Sequence, residues 1–323
     1  MLKSKILAEL EDSKGRPISG QAMADMLGVT RSAVSKAVGQ LRADGYSISS
    51  STGSGYILDK DCDILSVAGI NRYLNNCRYS ITVLDTVDST NSEMKRRAAD
   101  GAADGEVVIA RCQTAGRGRM GRTFFSPNDC GVYISLLIRP QLRAEDALRI
   151  TTSAAVAVAR ALAKMGVEAQ IKWVNDLFLG ERKICGILTE AALDIESGGI
   201  GYVVLGIGVN VNAAENGFPA ELSQIAGVAF TDSVADAKNR LAANILNELA
   251  AIAGQWLSLD LLCEYRRRSM LIGNTVEVHD PMGNYLAEVL TVDDDAHLIV
   301  RDCAGKEHCL KSGEVSVRRA TNE

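Results

Sequence analysis

The chain has 323 residues, of which 47% are hydrophobic and 23% are charged, and its formal net charge at pH 7 is −5. This length predicts about two domains with room for a buried core. No apolar run reaches the roughly 18 residues that a membrane span needs, and the N-terminus has no signal-peptide pattern. We therefore expect a cytoplasmic protein with no membrane partner, in which any polyanion is bound by a local basic patch.

The eight cysteines and three histidines limit the chemistry that is possible. The cysteines are scattered without C-x-x-C spacing, which indicates reduced thiols and predicts neither a disulfide framework nor a protein-bound metal. The segment "CAGKEHC" also lacks the spacing of a ligand pattern. His279, His297 and His308 all lie near the C-terminal end. A reaction in the centre of the chain would therefore depend on positioning and charge, since no histidine is present to activate a nucleophile.

Residues 1–63 predict a winged helix-turn-helix module. Apolar spacing indicates helices over 2–11, 20–27 and 31–44, with Thr30 as the expected N-cap of the third helix. The segment "YSISSSTGSGYIL" that follows indicates two strands around a Ser/Gly turn. This order of elements is typical of a winged helix that binds DNA.

The third predicted helix has one polar face, with side chains of the kinds that contact phosphates and base edges. The predicted DNA-binding residues are Arg31, Ser32, Ser35, Lys36 and Gln40. The opposite face is apolar and is expected to pack on the core of the module. Operator DNA is therefore the partner we favour, and a winged helix used for protein contacts is the alternative.

Residues 64–268 mix strands with helices, and the predicted fold class is α+β. Several strands follow one another without a crossover helix, so we expect a largely antiparallel or mixed sheet. Predicted strands cover 80–87, 106–112, 131–139, 169–174, 183–193 and 201–211, and predicted helices cover about 90–99, 145–165 and 233–256. Residues 269–323 contain five short strand-like runs separated by turns, which predict a small β-barrel-like domain.

The segment "GRGRMGR" (residues 116–122) fits G-x-G-x-x-G, the dinucleotide-binding fingerprint. A Rossmann site needs a helix directly after the last glycine, whereas Pro127 follows closely here. The glycines instead allow backbone N–H groups to approach a ligand, and the arginines suit carboxylates and phosphates. We interpret the segment as an anion-binding loop, with a solvated basic loop as the alternative.

Three further motifs place polar residues beside apolar strands. In "KWVNDLFLGERKICGILTE", Asn175 and Asp176 come shortly after a buried-looking tryptophan. In "DSTN", which begins a predicted helix, Thr90 and Glu93 form a T-x-x-E capping box, and the helix N-terminus also offers free N–H groups to a ligand. "GIGVNVN" (206–212) indicates either a ligand-binding strand or a core strand that contains glycine.

Taken together and in order, "DSTN", "QTAGRGRMGRTFFSP", "KWVNDL…RKICGIL.E", "GIGVNVN" and "SGEVSVRR" resemble the biotin protein ligases. The preceding winged helix resembles their bifunctional class, which also represses biotin synthesis genes. The resemblance covers essentially the whole chain. It implies a central class II aminoacyl-tRNA synthetase/biotin ligase-like mixed sheet with helices, and a C-terminal SH3-like β-barrel. The expected domains are then 1–63, 64–268 and 269–323.

The resemblance also implies roles for individual residues. The implied biotin-binding residues are Ser89, Thr90, Asn91, Gln113, Gly116, Arg117, Gly118, Arg119 and Lys183. The implied ATP-binding residues are Arg122, Lys172, Asn175, Asn210 and Arg318. The implied catalytic residues are Lys183, Arg119 and Asp176, with Asp176 as a base. The chain departs from the family's pattern at Met120, where an arginine is frequent, and at Val174 and Phe124, where proline and tryptophan are common.

The implied reaction uses biotin, ATP and Mg²⁺, and biotin is both substrate and effector. Biotin's carboxylate attacks the α-phosphorus of ATP, and the resulting biotinoyl-5′-AMP acylates a lysine of the biotin carboxyl carrier protein, a subunit of acetyl-CoA carboxylase. The first step needs charge neutralisation, and the second needs a deprotonated amine. The adenylate is expected to favour a homodimer that binds operator DNA. The alternatives are a biotin-sensing transcription factor with an inactive ligase domain and a lipoate ligase on the related fold.

Overall fold

The computed structural model describes residues 2–51, 55–75, 78–193, 199–214, 217–279, 283–311 and 316–319, the last of these for the backbone only. Contacts divide the chain into two compact units, which are Met1–Cys77 with Asp232–Asn244, and Arg78–Thr231 with Ile245–Glu323. No helix in the described part of the chain is both long enough and apolar enough to cross a membrane.

The first unit begins with the predicted winged helix. Its elements are α1 (Leu2–Asp12), α2 (Gly20–Leu27), α3 (Arg31–Ala43), β1 (Ile48–Ser51), β2 (Gly55–Leu58), α4 (Val67–Asn71) and, much later in the chain, the start of α7 (Ala237–Ile252). The three helices predicted for the module are confirmed. Ser19 and Thr30 cap α2 and α3 through their hydroxyls, and Gly28 ends α2 in the left-handed conformation that favours glycine.

The wing and the third helix have the arrangement that the sequence predicts. β1 and β2 pair antiparallel, and Ile18 forms a further backbone pair with Tyr56. The turn of the wing, residues 52–54, lies outside the described residues. α3 buries Val34, Ala37, Val38 and Leu41. Its predicted DNA-binding residues are all exposed, and they are Arg31, Ser32, Ser35, Lys36 and Gln40.

The start of α7 belongs to the first unit through buried polar contacts. Asn239 is fully buried, donates from Nδ2 to the Ile64 carbonyl at 2.9 Å, and accepts at Oδ1 from the Ser66 N–H at 3.0 Å. Lys14 Nζ lies 2.9 Å from Asp236 Oδ1, and both side chains are 4% exposed. Because buried polar groups need such partners, these contacts fix the segment in the unit.

The second unit contains a seven-stranded mixed sheet, as predicted. Its strands are β3 (Ser80–Val87), β4 (Glu106–Gln113), β5 (Gly131–Ile138), β6 (Gln170–Lys172), β7 (Asp176–Leu179), β8 (Arg182–Leu193) and β9 (Ile200–Asn210). The order across the sheet is β3-β4-β5-β9-β8-β7-β6. Only β3 and β4 pair in parallel, which requires a crossover, and the intervening segment forms a helix.

Three helices accompany this sheet, in addition to the second half of α7. They are α5 (Thr90–Ala99), α6 (Ala147–Ala163) and α8 (Leu259–Arg268). The central strand β5 is buried along its whole length, and Met94 and Ala98 of α5 pack beside Val108 and Val204. The sequence did not predict α8, although Leu261, Leu262 and Tyr265 form a buried helical stripe. The helix was missed because its last turn consists of the charged residues Arg266, Arg267 and Arg268, which do not continue the apolar spacing.

The C-terminal strands form an antiparallel sheet in the order β13-β12-β11-β10-β14. The strands are β10 (Thr275–His279), β11 (Tyr285–Val292), β12 (Leu298–Asp302), β13 (Glu307–Leu310) and β14 (Ser316–Arg319). The five predicted strands are therefore present, but the sheet is open. Asp293, His297 and Cys309 have donor atoms within 4.8 Å of one another. Since Asp293 already accepts from the N–H groups of Asp295 and His297, the grouping is explained by a turn.

Candidate active site

A cavity of about 1000 Å³ in the second unit brings together most of the predicted site residues. The predicted residues that line it are Ser89, Thr90, Asn91, Gln113, Arg117, Gly118, Arg119, Arg122, Lys172, Asn175, Asp176, Lys183 and Asn210. They come from the start of α5, the end of β4, the arginine loop (residues 116–122), the β6–β7–β8 hairpins and the end of β9. A cavity of this size with a few convergent polar groups is typical of a small-molecule site.

Two predicted site residues, Gly116 and Arg318, remain to be placed. Gly116 is buried at the base of the arginine loop, where an added Cβ would lie 2.4 Å from the Phe124 carbonyl oxygen and 2.6 Å from Ser126 Oγ. It therefore permits the close approach of two loop segments instead of facing the cavity. Arg318 lies on β14, and its side chain is outside the described residues.

The polar end of the cavity is built where α5 begins. The Thr90 N–H and hydroxyl both point at Gln113 Oε1, at 2.8 and 3.2 Å, and Gln113 Nε2 donates to Ser126 Oγ at 2.8 Å. The predicted Thr90–Glu93 capping box is wrong, because Ser89 is the N-cap and Thr90 is the first helical residue. Gln113, which lies 23 residues further along the chain, takes the place of the expected local cap.

Asn91 is held below this end of the cavity by three partners. Its Oδ1 accepts from Ser135 Oγ at 2.6 Å, while its Nδ2 donates to the Leu188 carbonyl and to Glu190 Oε2. The side chain occupies the space that a Cβ at Gly206 would need, 2.2 Å from that position. This explains one glycine of "GIGVNVN" as a packing requirement of a site residue. The strand is therefore a core strand that also lines the cavity, and ligand binding by it remains a prediction.

The arginine loop is a small hairpin. Arg117 pairs with Thr123, and the Gly118 N–H donates to the Arg122 carbonyl at 2.7 Å. At the tip, Met120 and Gly121 adopt positive φ values of 54° and 73°. Met120 is 71% exposed, so the position that departs from the family's pattern lies at the tip of the hairpin. The structure confirms that this is not a Rossmann site, because no α-helix begins directly after the glycines and the next one is α6 at Ala147.

Arg119 links the loop to the sheet. Its Nη1 donates to Asn175 Oδ1 at 3.0 Å, and Asn175 Nδ2 donates to the Ile187 carbonyl at 2.8 Å. Burial lowers the pKa of the Arg119 guanidinium, and the nearby Asp176 carboxylate opposes that shift. A cation that is removed from water in this way is well suited to bind an anionic group that enters the cavity.

Lys183 and Asp176 form an ion pair beside Arg119. Lys183 Nζ lies 2.7 Å from Asp176 Oδ1, with side-chain exposures of 35% and 24%. The two residues lie on the neighbouring strands β7 and β8, and the Lys183 backbone is fixed by bonds to Ile225 and Gly227. The structure thus places the three predicted catalytic residues in one region of the cavity.

The remaining predicted ATP-binding residues line the same cavity. Lys172 Nζ lies 5.6 Å above the Phe178 ring, and Asn210 Nδ2 donates to the Gly227 carbonyl at 3.0 Å. Arg122 is exposed after the tip of the hairpin. The cavity wall therefore contains both charged side chains and a side chain that forms hydrogen bonds.

Sequence reasoning missed the apolar lining. Additional residues that line the cavity are Phe124, Phe125, Tyr133, Phe178, Phe218, Leu222, Ile225, Met270 and Leu271. Phe124 lies over the sheet, because its ring fills the space above Gly208, 2.7 Å from a Cβ built there. No local pattern separates such residues from ordinary core residues. The glycine at 208 in a strand was the available signal, since a strand glycine often marks close approach.

Comparisons with known proteins agree with this architecture. Residues 83–210 match the model of the biotin/lipoate A/B protein ligase family, and residues 3–57 match an HTH domain. A Bacillus subtilis protein named bifunctional ligase/repressor BirA is 38% identical over 226 residues, which are 69% of each chain. A Mycobacterium tuberculosis protein named as a biotin–acetyl-CoA-carboxylase ligase is 33% identical over 245 residues, which cover 73% of this chain and 88% of that one.

Among solved structures, the biotin protein ligase of Aquifex aeolicus in complex with biotin and ATP matches with a TM-score of 0.62 and 22% identity. The match covers 75% of this chain and 99% of that one, and at this identity it shows the fold alone. The matches to the family models and to these relatives identify a protein ligase of the biotin/lipoate class that carries a helix-turn-helix. The chain belongs to the family of bifunctional biotin ligase/repressors.

Proposed function

We infer that this protein is an ATP-dependent biotin protein ligase that also acts as a biotin-responsive transcriptional repressor. The observation that carries the ligase function is one cavity with two different ends. Its polar end contains Thr90 and Gln113, and its cationic end contains Arg119 and Lys183. Biotin has a neutral polar ring system and a carboxylate tail, so the two ends match the two ends of this substrate.

We propose that the cationic end drives adenylate formation. Attack of the biotin carboxylate on the α-phosphorus of ATP brings two anionic groups together and gives biotinoyl-5′-AMP and pyrophosphate. Arg119 and Lys183 reduce that repulsion, and their effect is large in a site partly shielded from water. The proposed ATP contacts are Arg122, Lys172, Asn175, Asn210 and Arg318. No enzyme nucleophile takes part.

Mg²⁺ fits the same end of the cavity. The carboxylates that line it are Asp176 and Glu181, and Mg²⁺ is usually held by one or two carboxylates together with substrate phosphates. We propose that Mg²⁺ enters bound to the ATP phosphates and that Glu181, not Asp176, is the carboxylate that binds it, because Asp176 is assigned to proton transfer. When bound, the ion neutralises phosphate charge.

Asp176 is our proposed base for the second step, in which an amine of the carrier protein attacks the adenylate. Its Oδ1 lies 2.7 Å from Lys183 Nζ. A phosphate that engages Lys183 competes with Asp176 for that cation, so the carboxylate becomes available to accept a proton from the attacking lysine. The biotin carboxyl carrier protein of acetyl-CoA carboxylase is the proposed acceptor.

The regulatory half of the proposal rests on the first unit. The exposed polar face of α3 suits operator DNA of biotin synthesis genes. We propose that biotinoyl-5′-AMP is the effector and that it favours a homodimer, because two modules at a fixed spacing bind two half-sites far more tightly than one. We also propose that the open C-terminal sheet is an SH3-like domain, and that the domains follow the boundaries 1–63, 64–268 and 269–323.

The ligase function is tested by mass spectrometry of a purified carrier domain incubated with biotin, Mg-ATP and this protein. We expect one added biotin on a single lysine, and no product when either biotin or ATP is omitted. Pyrophosphate release without the carrier reports the first step separately. Absence of both signals would indicate a biotin sensor with an inactive ligase domain. Suppression of the product by lipoate would indicate the lipoate ligase alternative.

A further inference from the structure

Glu190 on β8 does not line the cavity, yet it contacts two of the predicted biotin-binding residues. Its Oε2 accepts from Asn91 Nδ2 at 2.9 Å, and its Oε1 lies 2.6 Å from Lys95 Nζ and 3.3 Å from Arg117 Nη2. The Glu190 side chain is 18% exposed, whereas that of Arg117 is 49% exposed. The carboxylate therefore joins a partly buried position on the sheet to an exposed arginine of the hairpin.

The sheet side of this link is fixed. Asn91 is 3% exposed, accepts from Ser135 Oγ at 2.6 Å, and fills the space left by Gly206. These contacts fix the orientation of the Asn91 amide, so that its Nδ2 points at Glu190. Lys95, one helical turn after Asn91, occupies the other oxygen of the carboxylate. Asn91 and Lys95 therefore orient the carboxylate independently of Arg117.

The carboxylate is also kept ionised. Burial alone would raise the pKa of Glu190, but the hydrogen bonds from Lys95 and Asn91 and the charge of Arg117 hold this pKa below its ordinary value. A charged acceptor forms the stronger kind of hydrogen bond to a guanidinium. Arg117 thus pairs with an ionised Glu190 carboxylate, held in a fixed orientation, at the base of the hairpin.

We propose that Glu190 is a positioning residue for the biotin site. It fixes Arg117, and with it the base of the hairpin at residues 116–124, beside the polar end of the cavity. Because a glycine-rich segment has few contacts of its own to order it, this anchor increases the fraction of molecules whose site is ready for biotin. Glu190 touches neither the substrate nor the reacting atoms, and this inference rests on the proposed ligase function.

The main test is Glu190→Gln. The neutral amide has one oxygen, so it cannot accept from Asn91 on one side and from both cations on the other. We expect the KM for biotin to rise about tenfold, the size of effect of one lost charged hydrogen bond. We expect kcat at saturating biotin to change less than twofold, because Lys183 and Asp176 are untouched. An unchanged KM, or a fall in kcat alone, would overturn the proposal.

Glu264→Gln is a matched control. Glu264 also lies between two cations, Arg160 and Arg268, and its side chain is 13% exposed. A general loss of stability from removing such a carboxylate would appear in both variants as a fall in melting temperature. We expect only Glu190→Gln to weaken biotin binding. An equal rise in KM in the control would mean that the effect is structural.

A double-mutant cycle identifies the route of the effect. If Glu190 acts through Arg117, then Glu190→Gln has no further effect on biotin affinity when it is added to Arg117→Met. Additive losses would show that it acts through Asn91 instead, and would contradict the proposal. Lys95→Met keeps the carboxylate and its contact with Arg117 but removes one partner that orients it, so it should lose less biotin affinity than Glu190→Gln, and it supplies a test if Glu190→Gln fails to fold. A loss in Lys95→Met as large as that expected of Glu190→Gln would count against the link to Arg117.

Titration calorimetry with biotin alone provides the same comparison without catalysis. It separates failure of this inference from failure of the proposed function. If the wild type forms no product but binds biotin, the Glu190 cycle is still decided by the dissociation constants. If the wild type binds no biotin at all, the proposed function and the inference fail together, and the mass spectrometry shows it.

Discussion

Asn91 and Gly206 show how strictly a single position in this protein can be determined. Asn91 is a polar side chain in the core, which is stable there because Ser135, Leu188 and Glu190 satisfy its hydrogen bonds. The space it fills exists only because residue 206 has no side chain. Because the two residues compete for the same space, a larger side chain at position 206 would displace Asn91.

Gly206→Ala should therefore destabilise the protein. Its Cβ would lie 2.2 Å from Asn91 Oδ1, and overpacking of this kind typically lowers the free energy of unfolding by about 1–3 kcal/mol. Denaturant unfolding followed by fluorescence measures the change. Gly39→Ala in α3 is the control, because nothing lies within 4 Å of that added Cβ and alanine favours helix. Equal stability of Gly206→Ala and the wild type would refute the packing argument.

Lys183→Ala should reduce adenylate formation by a hundredfold or more, within the range of roughly 10²–10³ for loss of one electrostatic donor. The reason is that Lys183 is a cation at the cavity wall whose removal also leaves Asp176 without its ion-pair partner. Pyrophosphate release measures the loss. Lys164→Ala removes a lysine that is likewise paired with a carboxylate, Glu248, and should keep normal turnover. Near-normal turnover in Lys183→Ala would remove this residue from the mechanism.

Helices and strands were predictable where periodicity is local, and contacts between them were not. The cap at Thr30 confirms a start signal that is visible within a few residues. The capping box at Thr90 was wrong because Gln113, from another strand, replaces the local partner. The motifs identified most of the polar residues that line the cavity, but they assigned no role to Phe124, which lines it, or to Glu190, which contacts Asn91 and Arg117. Their positions depend on which strands are neighbours, and that information is not local.

The start of α7 gives a pH-dependent prediction. Burial raises the pKa of Asp63 to about 6, although Lys238 partly offsets the shift, and Asp236 and Lys14 also face the group. The folded state then binds this proton more tightly than the unfolded state. The contribution of Asp63 to stability is therefore complete below about pH 4 and is lost as pH rises through 6.

Asp63→Asn removes this titration while its oxygen can still accept from the Lys238 N–H. We expect the unfolding free energy of the variant, minus that of the wild type, to increase between pH 4 and 7 by up to about 3 kcal/mol. Hydrogen exchange of the first-turn amides of α7, measured at several pH values, checks this. Asp61→Asn, an exposed substitution of the same type, is the control. A difference that stays constant with pH would contradict the assignment.

For the molecule as a whole, the first unit is discontinuous in sequence. Residues 232–244 complete it through the Lys14–Asp236 pair and the bonds of Asn239 to Ile64 and Ser66. Separation of the DNA-binding module by cutting after residue 63 would break the Lys14–Asp236 pair and the hydrogen bond from the Lys238 N–H to Asp63. The domain boundary after residue 63, which the family resemblance implies, is therefore not a place where the chain can be divided without loss of buried polar partners.

The coupling of ligase and repressor is tested on the intact chain. We expect biotin plus Mg-ATP, but neither alone, to raise both the sedimentation coefficient and the affinity for operator DNA. Coupling of this kind requires the adenylate to bind the dimer-competent state more tightly than the other. Lys36→Ala, on the exposed face of α3, should weaken operator binding and leave carrier biotinylation unchanged. If the adenylate alters neither assembly nor operator affinity, the regulatory proposal fails and the ligase alone remains.

The return of residues 232–244 to the first unit also limits how the gene can be rearranged. A module encoded by one uninterrupted stretch can be gained or lost in a single recombination event. Here, such an event after codon 77 would leave behind the codons for Asp236 and Asn239, two side chains that are buried against the lost segment. Point substitution on the exposed face of α3 disturbs no packing. In a lineage that no longer needs the repressor, decay of that face is therefore easier than deletion of the module.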